Sequence, residues 1–355
     1  MNEIKLALLG FGNAGQAFAK LLLEKNDEII DTLDTRVLVV AIATRSKGTI
    51  IDEKGLDLDQ VLLEIEEAGK FFNPVDLSAL ETANQADYDI LVELTPLEIF
   101  SGQPAINHIK AGLNRGKHVI TANKGPVAWV YRELKNLSRE KGVQFFCETT
   151  VMDGTPVFNL VEETLKFCKV LEINGILNTT TNFILEEMGK GIPYEQIIEE
   201  GKRRGFIEAD PSIDIEGYDA AAKVAALMNV LMDAGITPEH IERQGIEDIT
   251  YEKIKQAEAR GKVIKLLCSG KYVNGKAVGT VRPEELEKGN MLAAIDGTSS
   301  MVSITTDLMG TISIIEHNPE IGQTAYGIFS DLVRIISTIL LPVTEKECRQ
   351  TLTKE

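Results

Sequence analysis

The sequence has few of the residues that build disulfide frameworks, zinc sites or histidine-based catalysis. Its 355 residues include four cysteines and four histidines, all scattered, without a Cys-x-x-Cys pair. Such spacing favours reduced thiols in a cytoplasmic protein over a disulfide framework or a zinc site. Positive charge is also scarce, because 37 lysine and arginine residues face 54 acidic ones, for a formal net charge of −17. This excess of acid argues against nucleic acid or an anionic membrane as a partner.

Long apolar runs are missing as well. No run reaches the length that spans a bilayer, and residues 1–5 lead into a strand and glycines rather than a secretion signal. We therefore expect a cytoplasmic protein without membrane segments. The 44% of hydrophobic residues in a chain of this length can build two domains or one large one.

The first residues carry the pattern of a dinucleotide-binding turn. An apolar strand at 4–9 precedes Gly10-Phe11-Gly12-Asn13-Ala14-Gly15, and a helical pattern follows. In that context the first glycine permits a tight turn, the second lets backbone approach a pyrophosphate, and the third lets helix and strand pack closely. The helix N-terminus would face the phosphates. All six residues are candidate cofactor ligands, and the alternative is a glycine-rich turn without a ligand.

The end of the second strand predicts which dinucleotide is preferred. The strand at 37–43 runs into Thr44-Arg45-Ser46-Lys47, without the acid that usually binds the ribose hydroxyls of NAD. Arginine can instead hold a 2′-phosphate through paired, charge-assisted hydrogen bonds. The sequence therefore predicts NADP rather than NAD as the preferred cofactor, with Arg45 as the main determinant and Ser46 and Lys47 beside it. The alternative is an exposed loop arginine.

Strands and helices alternate through the first half of the chain. Segment 48–86 reads as an insertion with one amphipathic helix near 58–68. Further strands are expected at 89–94, 117–120 and 143–147, and helices at 106–115 and from Pro126. This alternation predicts a Rossmann-like, doubly wound parallel sheet. Thr95, Pro96 and Lys124 each follow a strand, so we expect them at the edge of the sheet that binds the cofactor.

The sequence pattern changes after Pro156, where helical and strand-like stretches predict a mixed α+β domain. Helices are expected at 157–166, 181–190, 194–204 and 218–234, and strands at 170–177, 262–269, 276–282 and 301–315. A last helix at 322–341 is expected to pack back on the first domain. We therefore expect a dinucleotide-binding domain at 1–147, completed by 320–355, and a substrate and dimerisation domain at 148–319.

The most unusual stretch is GFIEADPSIDIEGYDAAAK at 205–223. Acidic residues crowd a turn-rich segment that enters a helix, apolar almost all round, whose only charges are Asp219 and Lys223. These two lie four residues apart and share one helical face. Charges on a buried helix are rare unless they are paired or used. Two interpretations follow: a salt bridge at a helix start, or a site for a small polar molecule that carries an amine.

These elements, in this order, resemble the homoserine dehydrogenase family over nearly the whole chain. The motifs that carry the resemblance are the dinucleotide turn, TANKGP at 121–126, ETTVMDGTP at 148–156, NTTTNFIL at 178–185 and the 205–223 stretch. The resemblance implies reversible NAD(P)-dependent interconversion of L-homoserine and L-aspartate 4-semialdehyde, in the biosynthesis of threonine and methionine. It also implies a homodimer, in which the strand-rich 262–315 could meet its copy.

The resemblance implies a role for each matching residue. The implied catalytic residues are Lys223, Lys124 and Asp219. The implied substrate ligands are Glu208, Thr180 and Asp214, and Gly322 joins the cofactor ligands. A loop carrying Glu148, Val151, Asp153 and Thr155 would bind a monovalent cation, Na+ or K+, mostly through backbone carbonyls. On chemical grounds, a lysine whose pKa is lowered by burial or by a second ammonium could take the alcohol proton and return it to the aldehyde.

The chain also departs from the family. Members commonly have Gly where this chain has Thr179 and Asn where it has Ser300. Members usually have a glycine-rich turn near the cofactor before the last helix. At 316–323 of this chain, Gly322 is the only glycine of that turn. Because the sequence ends at Glu355, we expect no C-terminal ACT domain and no threonine feedback through one. Two alternatives stay open: a related dehydrogenase of another small amino or hydroxy acid, and a dinucleotide-binding redox sensor.

Overall fold

The computed structural model describes residues 1–340, and its first half is a sheet of six strands with helices on both faces. In chain order the elements of this half are β1 (Asn2–Leu9), α1 (Asn13–Leu33), β2 (Thr35–Thr44), β3 (Gly48–Ile51), α2 (Leu58–Ala68), α3 (Ala79–Gln85), β4 (Ile90–Glu93), α4 (Ala105–Asn114), β5 (His118–Thr121), α5 (Lys124–Lys141) and β6 (Phe145–Phe146). The strand order is β3-β2-β1-β4-β5-β6, and all neighbours are parallel except β2 and β3. The predicted doubly wound parallel sheet is confirmed.

The segment at 48–86 is more than an insertion with one helix, so that expectation is corrected. The chain turns back at 45–47 and pairs β3 antiparallel with β2, as the edge strand of the sheet. α3 follows α2, and its start carries a capping box between Ser78 and Glu81. A strand as short as GTII gives too little periodicity to be recognised in sequence.

The order of the strands creates a switch point next to the glycine turn. The chain leaves β1 for β2 on one side and returns to β4 on the other, so β1 and β4 end side by side. Gly10, at the end of β1, has φ of +101°, and a Cβ there would lie 2.3 Å from the carbonyl oxygen of Leu94. Only glycine fits this turn, which lies where ligands bind in such sheets.

The second half builds a second sheet around a buried helix. In chain order its elements are α6 (Phe158–Thr164), β7 (Val170–Ile176), α7 (Thr179–Gly189), α8 (Tyr194–Arg204), α9 (Ser212–Ile215), α10 (Tyr218–Met232), β8 (Ile241–Arg243), α11 (Tyr251–Ala259), β9 (Lys262–Val273), β10 (Lys276–Glu287), β11 (Ser300–Thr306), β12 (Gly310–Glu316) and α12 (Ile321–Leu340). The strand order is β12-β11-β7-β9-β10-β8. Neighbours are antiparallel except β10 and β8, which are parallel. The run expected at 301–315 is a hairpin, β11 and β12, rather than one strand.

Two apolar clusters hold these parts together. One joins α1, α2 and α12 to one face of the first sheet, so the last helix does pack on the first half. The other runs from the opposite face of that sheet, through α5 and α10, to the inner face of the second sheet. The expected helix end at 341 and residues 342–355 lie outside the described part of the chain. Within residues 1–340, no helix is long and apolar enough to cross a membrane.

Candidate active site

The candidate site forms where the N-termini of α5 and α10 meet. Lys124 is the first residue of α5, and its Nζ lies 2.7 Å from Oδ1 of Asp219, in the first turn of α10. The helix had been expected to start near Pro126. It starts two residues earlier because the side chain of Asn123 caps it, accepting a hydrogen bond from the N–H of Gly125 at 3.0 Å. The cap fixes the lysine at the head of the helix.

Asp219 lies between two lysines. Its Oδ2 is 3.6 Å from Nζ of Lys223, one turn further along α10, and accepts a hydrogen bond from Nδ2 of Asn178 at 3.0 Å. The ammonium of Lys223 also donates to the carbonyl of Leu177 at 2.7 Å. The salt bridge along the helix face therefore exists, but it is one contact in a cluster that draws residues from three separate segments.

The charges of this cluster reinforce one another. Burial alone would raise the pKa of the Asp219 carboxyl, but attraction to Lys124 and Lys223 holds that pKa well below its usual range. Burial alone would lower the pKa of the Lys223 ammonium. The carboxylates of Asp219, Asp153 and Asp214 outweigh it and raise that pKa above its usual value. The expectation of a lysine with a lowered pKa is therefore wrong for Lys223, which is held as an ammonium.

A second carboxylate, Asp214, completes the cluster. Its Oδ1 accepts a hydrogen bond from Nδ2 of Asn178 at 2.7 Å, so one amide bridges both acids. Burial, and then the negative charge of Asp219, raise the pKa of Asp214, while the hydroxyl of Thr180 and the Asn178 amide oppose this. Thr180 is buried in the first turn of α7.

Sequence reasoning missed Asn178, although a signal was present. Asn178 precedes a run of three threonines, and its Oδ1 caps α7 by accepting from the N–H of Thr181 at 2.9 Å. Asparagine immediately before a helical stretch is a recognised start signal. Its amide is then free to face Asp214 and Asp219, which no sequence pattern reveals.

Glu208 is not part of this cluster. It is exposed on the segment between α8 and α9, and within residues 1–340 no hydrogen bond or ion pair joins its carboxylate to the site. Its role as a substrate ligand stays a prediction.

The glycine turn has the geometry that a dinucleotide needs. Gly12 precedes α1, and no side chain of the described residues caps that helix. A Cβ on Gly12 would meet open space, whereas one on Gly15 would lie 3.1 Å from the carbonyl oxygen of Gly10. The first N–H groups of α1, at Asn13 and Ala14, are therefore available to an anion. Phe11 is buried beneath the turn.

The other candidate cofactor residues differ in how they are placed relative to this turn. The ammonium of Lys47 donates to the carbonyl of Phe11 at 2.6 Å, so it lies directly against the turn. Arg45 and Ser46 are exposed in the turn between β2 and β3, and Pro96 is exposed after β4. Gly322 is exposed at the start of α12.

Thr95 connects the glycine turn to the lysine cluster. Its N–H donates at 3.2 Å to the buried carboxylate of Glu93, and its hydroxyl donates to the same oxygen. Its carbonyl accepts from the Asn123 side chain at 3.1 Å. The glycine turn lies against Thr95, because a Cβ on Gly10 would be 2.8 Å from its backbone nitrogen. Since Asn123 caps the helix that carries Lys124, a path of contacts joins the two sites.

The loop at 148–155 uses its acidic side chain for structure. The carboxylate of Glu148 accepts hydrogen bonds from the N–H groups that begin α6, at 2.6–2.8 Å, from Val157, Phe158 and Asn159. Because both oxygens of this carboxylate already accept hydrogen bonds, we expect Glu148 and Val151 to offer carbonyl oxygens to a cation. Asp153, at φ of +43°, accepts from the hydroxyl of Thr324 on α12 at 2.8 Å.

An acid that sequence reasoning passed over lies beside this loop. Glu316 ends β12, only 7% exposed, and neither of its carboxylate oxygens has a hydrogen-bond partner in the described part of the chain. Burial, and then the charge of Asp153, raise the pKa of Glu316 to about 7. The available signal was its position on the strand face that also carries Ile312 and Ile314.

Comparisons with known proteins agree over the whole arrangement. A family model described as homoserine dehydrogenase matches residues 156–333, and one described as homoserine dehydrogenase, NAD binding domain, matches residues 10–148. The homoserine dehydrogenase of Methanocaldococcus jannaschii is 36% identical over 344 residues, covering 94% of this chain and 98% of that protein. The NAD(+)-dependent homoserine dehydrogenase of Pseudomonas canavaninivorans is 32% identical over 341 residues, covering 94% and 97%.

The solved structures agree as well. A hyperthermophilic archaeal homoserine dehydrogenase, solved in complex with NADPH, superimposes with a TM-score of 0.80 at 30% identity, covering 96% of this chain and 99% of that one. Sequence, fold and site thus point the same way. The chain belongs to the homoserine dehydrogenase family, whose members are NAD(P)-dependent oxidoreductases that act on a CH–OH group.

Proposed function

We propose that this member of the family interconverts L-homoserine and L-aspartate 4-semialdehyde through the cluster of Lys124, Asp219 and Lys223. The observation that carries the proposal is the position of Asp219 between two lysines, joined by contacts to the glycine turn. The reaction belongs to the biosynthesis of amino acids derived from aspartate.

The chain's own residues would orient the substrate and move one proton. The nicotinamide cofactor, when bound, supplies the hydride chemistry. In the reducing direction the aldehyde oxygen gains negative charge, and the Lys223 ammonium is placed to donate the proton that this oxygen needs. In the oxidising direction the same amine takes the alcohol proton. Asp219 holds both lysines in place, and Lys124 adds a second positive charge near the oxygen.

The remaining carboxylates suit the amino end of the substrate. Asp214 lies partly exposed beside the lysines, held by Asn178 and close to Thr180. A substrate ammonium placed there would relieve its repulsion from Asp219 through charge-assisted hydrogen bonds. Glu208 could join this contact only if its exposed segment moves toward the cluster.

The cofactor residues favour NADP over NAD in our proposal. The turn after β2 contains no acid, and its Arg45 has no ion-pair partner among the described residues. Arg45 with Ser46 would hold a 2′-phosphate, while Lys47 lies against the phosphate-binding turn. Thr95, Pro96 and Gly322 would border the cofactor further along the crevice.

We also propose Na+ or K+ at the 148–155 loop, with Glu148, Val151, Asp153 and Thr155 as its residues. Carbonyl oxygens are suitable ligands for such ions. The buried, unpaired oxygens of Glu316 beside the loop support a cation there.

Assembly, compartment and domain division complete the proposal. The outer face of the second sheet carries an open groove of about 250 Å³ with Asn174, Ser269 and Thr280 in its lining, and we propose that a second copy packs there as a homodimer. The domains would be 1–147 with 320–355, and 148–319. Cys147, Cys168 and Cys268 are free thiols, which supports the cytoplasm, while Cys348 lies outside the described residues.

Absorbance of reduced nicotinamide tests the proposed reaction. Purified protein would be mixed with L-homoserine and NAD or NADP at mildly alkaline pH, in potassium or choline salts. We expect turnover with L-homoserine and much slower turnover with L-serine or 2-hydroxybutyrate. The changed 316–323 segment favours a related small amino or hydroxy acid as the second candidate. A different best substrate in this panel would support that candidate, and tight cofactor binding without any turnover would support the redox sensor.

A further inference from the structure

The Glu316 carboxylate is buried without the partners that normally accompany such a group. At 7% exposure, it carries a desolvation cost that no hydrogen bond to either oxygen offsets within residues 1–340. Buried polar groups in native proteins nearly always have partners, so an exception calls for an unseen ligand or a function.

The neighbours of Glu316 are themselves oxygen-rich. Asp153 lies close enough to raise the pKa of Glu316. The Thr155 hydroxyl lowers that pKa without reaching hydrogen-bond geometry. Both residues belong to the 148–155 loop. Geometry brings the two segments together as well, since Thr324, eight residues after Glu316, donates to Asp153 at 2.8 Å.

No positive side chain of the described residues forms an ion pair with Glu316 within 4 Å. Lys223 is the cation that acts on it, from further away, because it lowers the pKa of Glu316. Its ammonium is already used by Asp219 and the carbonyl of Leu177. The pair formed by Glu316 and Asp153 thus keeps an excess of negative charge.

We propose that Glu316 is a side-chain ligand of the alkali cation, Na+ or K+, which binds between it and Asp153. Hard monovalent cations prefer oxygen ligands, and Glu316 adds a second carboxylate to that of Asp153, while the Glu148 carboxylate caps α6. Because the Lys223 ammonium is already paired with Asp219, the pair of carboxylates keeps the excess negative charge that attracts a cation. The inference rests on the proposed cation loop and does not depend on the substrate.

A cation in this position would connect the end of the second sheet to the last helix. Glu316 ends β12, and Asp153 accepts the hydroxyl of Thr324 on α12. Binding should therefore stabilise the fold whether or not the enzyme turns over, which gives a readout besides activity.

Thermal unfolding of the full-length protein tests the proposal. Wild type, Glu316→Gln and Asp153→Asn would be melted at about pH 8, well above the ordinary pKa range of carboxyl groups, in choline chloride with KCl or NaCl exchanged at constant ionic strength. Asparagine tolerates the positive φ of Asp153 and keeps its acceptor oxygen. Glu320→Gln, which removes an exposed acid four residues away, is the matched control.

We expect KCl or NaCl to raise the melting temperature of wild type and Glu320→Gln saturably. Both site variants should need at least about tenfold more salt, because each loses a charged ligand. In choline alone, Glu316→Gln should melt at or above wild type, since its uncompensated charge is gone.

Four outcomes would overturn the proposal. If KCl or NaCl raised the melting temperatures of wild type and Glu316→Gln equally, the cation would bind at the 148–155 loop without Glu316 as a ligand. No saturable response of the wild type would remove both. A response confined to MgCl2 or CaCl2 would contradict a monovalent ion. Stabilisation by L-homoserine in choline that Glu316→Gln abolishes would assign the carboxylate to the substrate amine. Because no melting experiment requires turnover, a failed cation site and a failed reaction remain distinguishable.

Discussion

Three charged side chains form the centre of the candidate site at the residue scale. Asp219 could have been a simple partner of Lys223 on one helix face, but it also binds Lys124, which is 95 residues earlier. The acid is therefore the fixed point about which both lysines are oriented. A buried acid with a lowered pKa stays ionised throughout the working range of pH, so this orientation does not change.

The raised pKa of Lys223 predicts how the two reaction directions depend on pH. Oxidation releases a proton, so the ratio of kcat/KM for oxidation to kcat/KM for reduction must change about tenfold per pH unit. The pKa of the group that carries the proton decides which of the two values changes with pH. With a pKa above its usual value, the lysine is protonated from about pH 7 to about pH 9. As the pH rises over this range, we expect kcat/KM for oxidation to increase and kcat/KM for reduction to stay constant.

Steady-state profiles in both directions check this expectation. The titration of the substrate's own amine enters both profiles, so their contrast isolates the enzyme group. If oxidation instead reached a plateau near neutral pH while reduction fell, Lys223 would be a neutral base, and the account of its charge would be wrong.

Arg45 carries the prediction about cofactor choice. Arg45→Ala should weaken the binding of NADP by about tenfold or more and change the affinity for NAD by less than about threefold, since only NADP has the 2′-phosphate. Titration of each cofactor by fluorescence measures both dissociation constants, and Arg36→Ala, which alters an exposed arginine at the other end of β2, is the control. An equal loss for both cofactors would show that Arg45 does not read the phosphate.

Single residues were predictable where their chemistry appears in a local pattern. The glycine turn and the acid-rich stretch are recognisable from spacing and context, whereas the role of Lys124 was implied by the family resemblance. Asn178 and Glu316 did not, because their partners lie tens to hundreds of residues away. The lowered pKa expected of a proton-carrying lysine does not hold for Lys223 for the same reason, since sequence shows the burial of a helix but not the number of acids that face it.

Two helices hold the site at the element scale. α5 and α10 begin at the same place, and the amide of Asn229 on α10 donates to the carbonyls of Val127 and Ala128 on α5, at 3.1 and 3.2 Å. These carbonyls precede Val130, where the backbone of α5 leaves helical geometry at φ of −140°. The amide therefore pairs backbone carbonyls just before the irregular turn and ties α10 to α5.

Asn229→Ala should be strongly destabilising. It would leave buried backbone groups of α5 and of Ile236 unpaired, at a cost of about 3 kcal/mol or more. Urea unfolding measures the loss, and Asn84→Ala, whose amide bonds only the exposed start of α3, should cost about 1 kcal/mol or less. Equal small losses would mean that Asn229 does not hold the two helices together.

Most elements were predictable because apolar spacing differs between helices and strands. The amphipathic helix at 58–68 and the helix at 194–204 were predicted at the bounds the structure shows. β3, β8 and the separation of β11 from β12 were missed, since short strands lack a period and one exposed turn at 307–309 does not interrupt an apolar run clearly.

The whole molecule places the site between two sheets that share one core. The apolar cluster around α5 and α10 continues from the first sheet to the second, so the lysine cluster is backed by packed residues on both sides. The order of elements predicted this architecture. Which face of the second sheet is exposed to solvent could not be predicted, because that depends on the order of its strands rather than on the sequence of any one strand.

The open outer face of the second sheet predicts the assembly. Light scattering should give about twice the 39.0 kDa mass of the chain. Val278→Lys would place a charge in the proposed interface and should weaken association by at least about tenfold. Val75→Lys alters an exposed valine of the first half and should leave the mass unchanged. A wild-type monomer, or a Val278→Lys dimer of unchanged affinity, would contradict this interface.

Single-turnover hydride transfer in wild type and Lys223→Met tests the central claim most directly. Enzyme saturated with L-homoserine and NADP would be followed by nicotinamide absorbance, with cofactor binding measured separately and the exposed Lys276→Met as control. The account predicts that Lys223→Met binds the cofactor within about threefold of wild type and transfers hydride at least about 100-fold more slowly. Transfer at a rate within about threefold of wild type would show that Lys223 does not carry the proton.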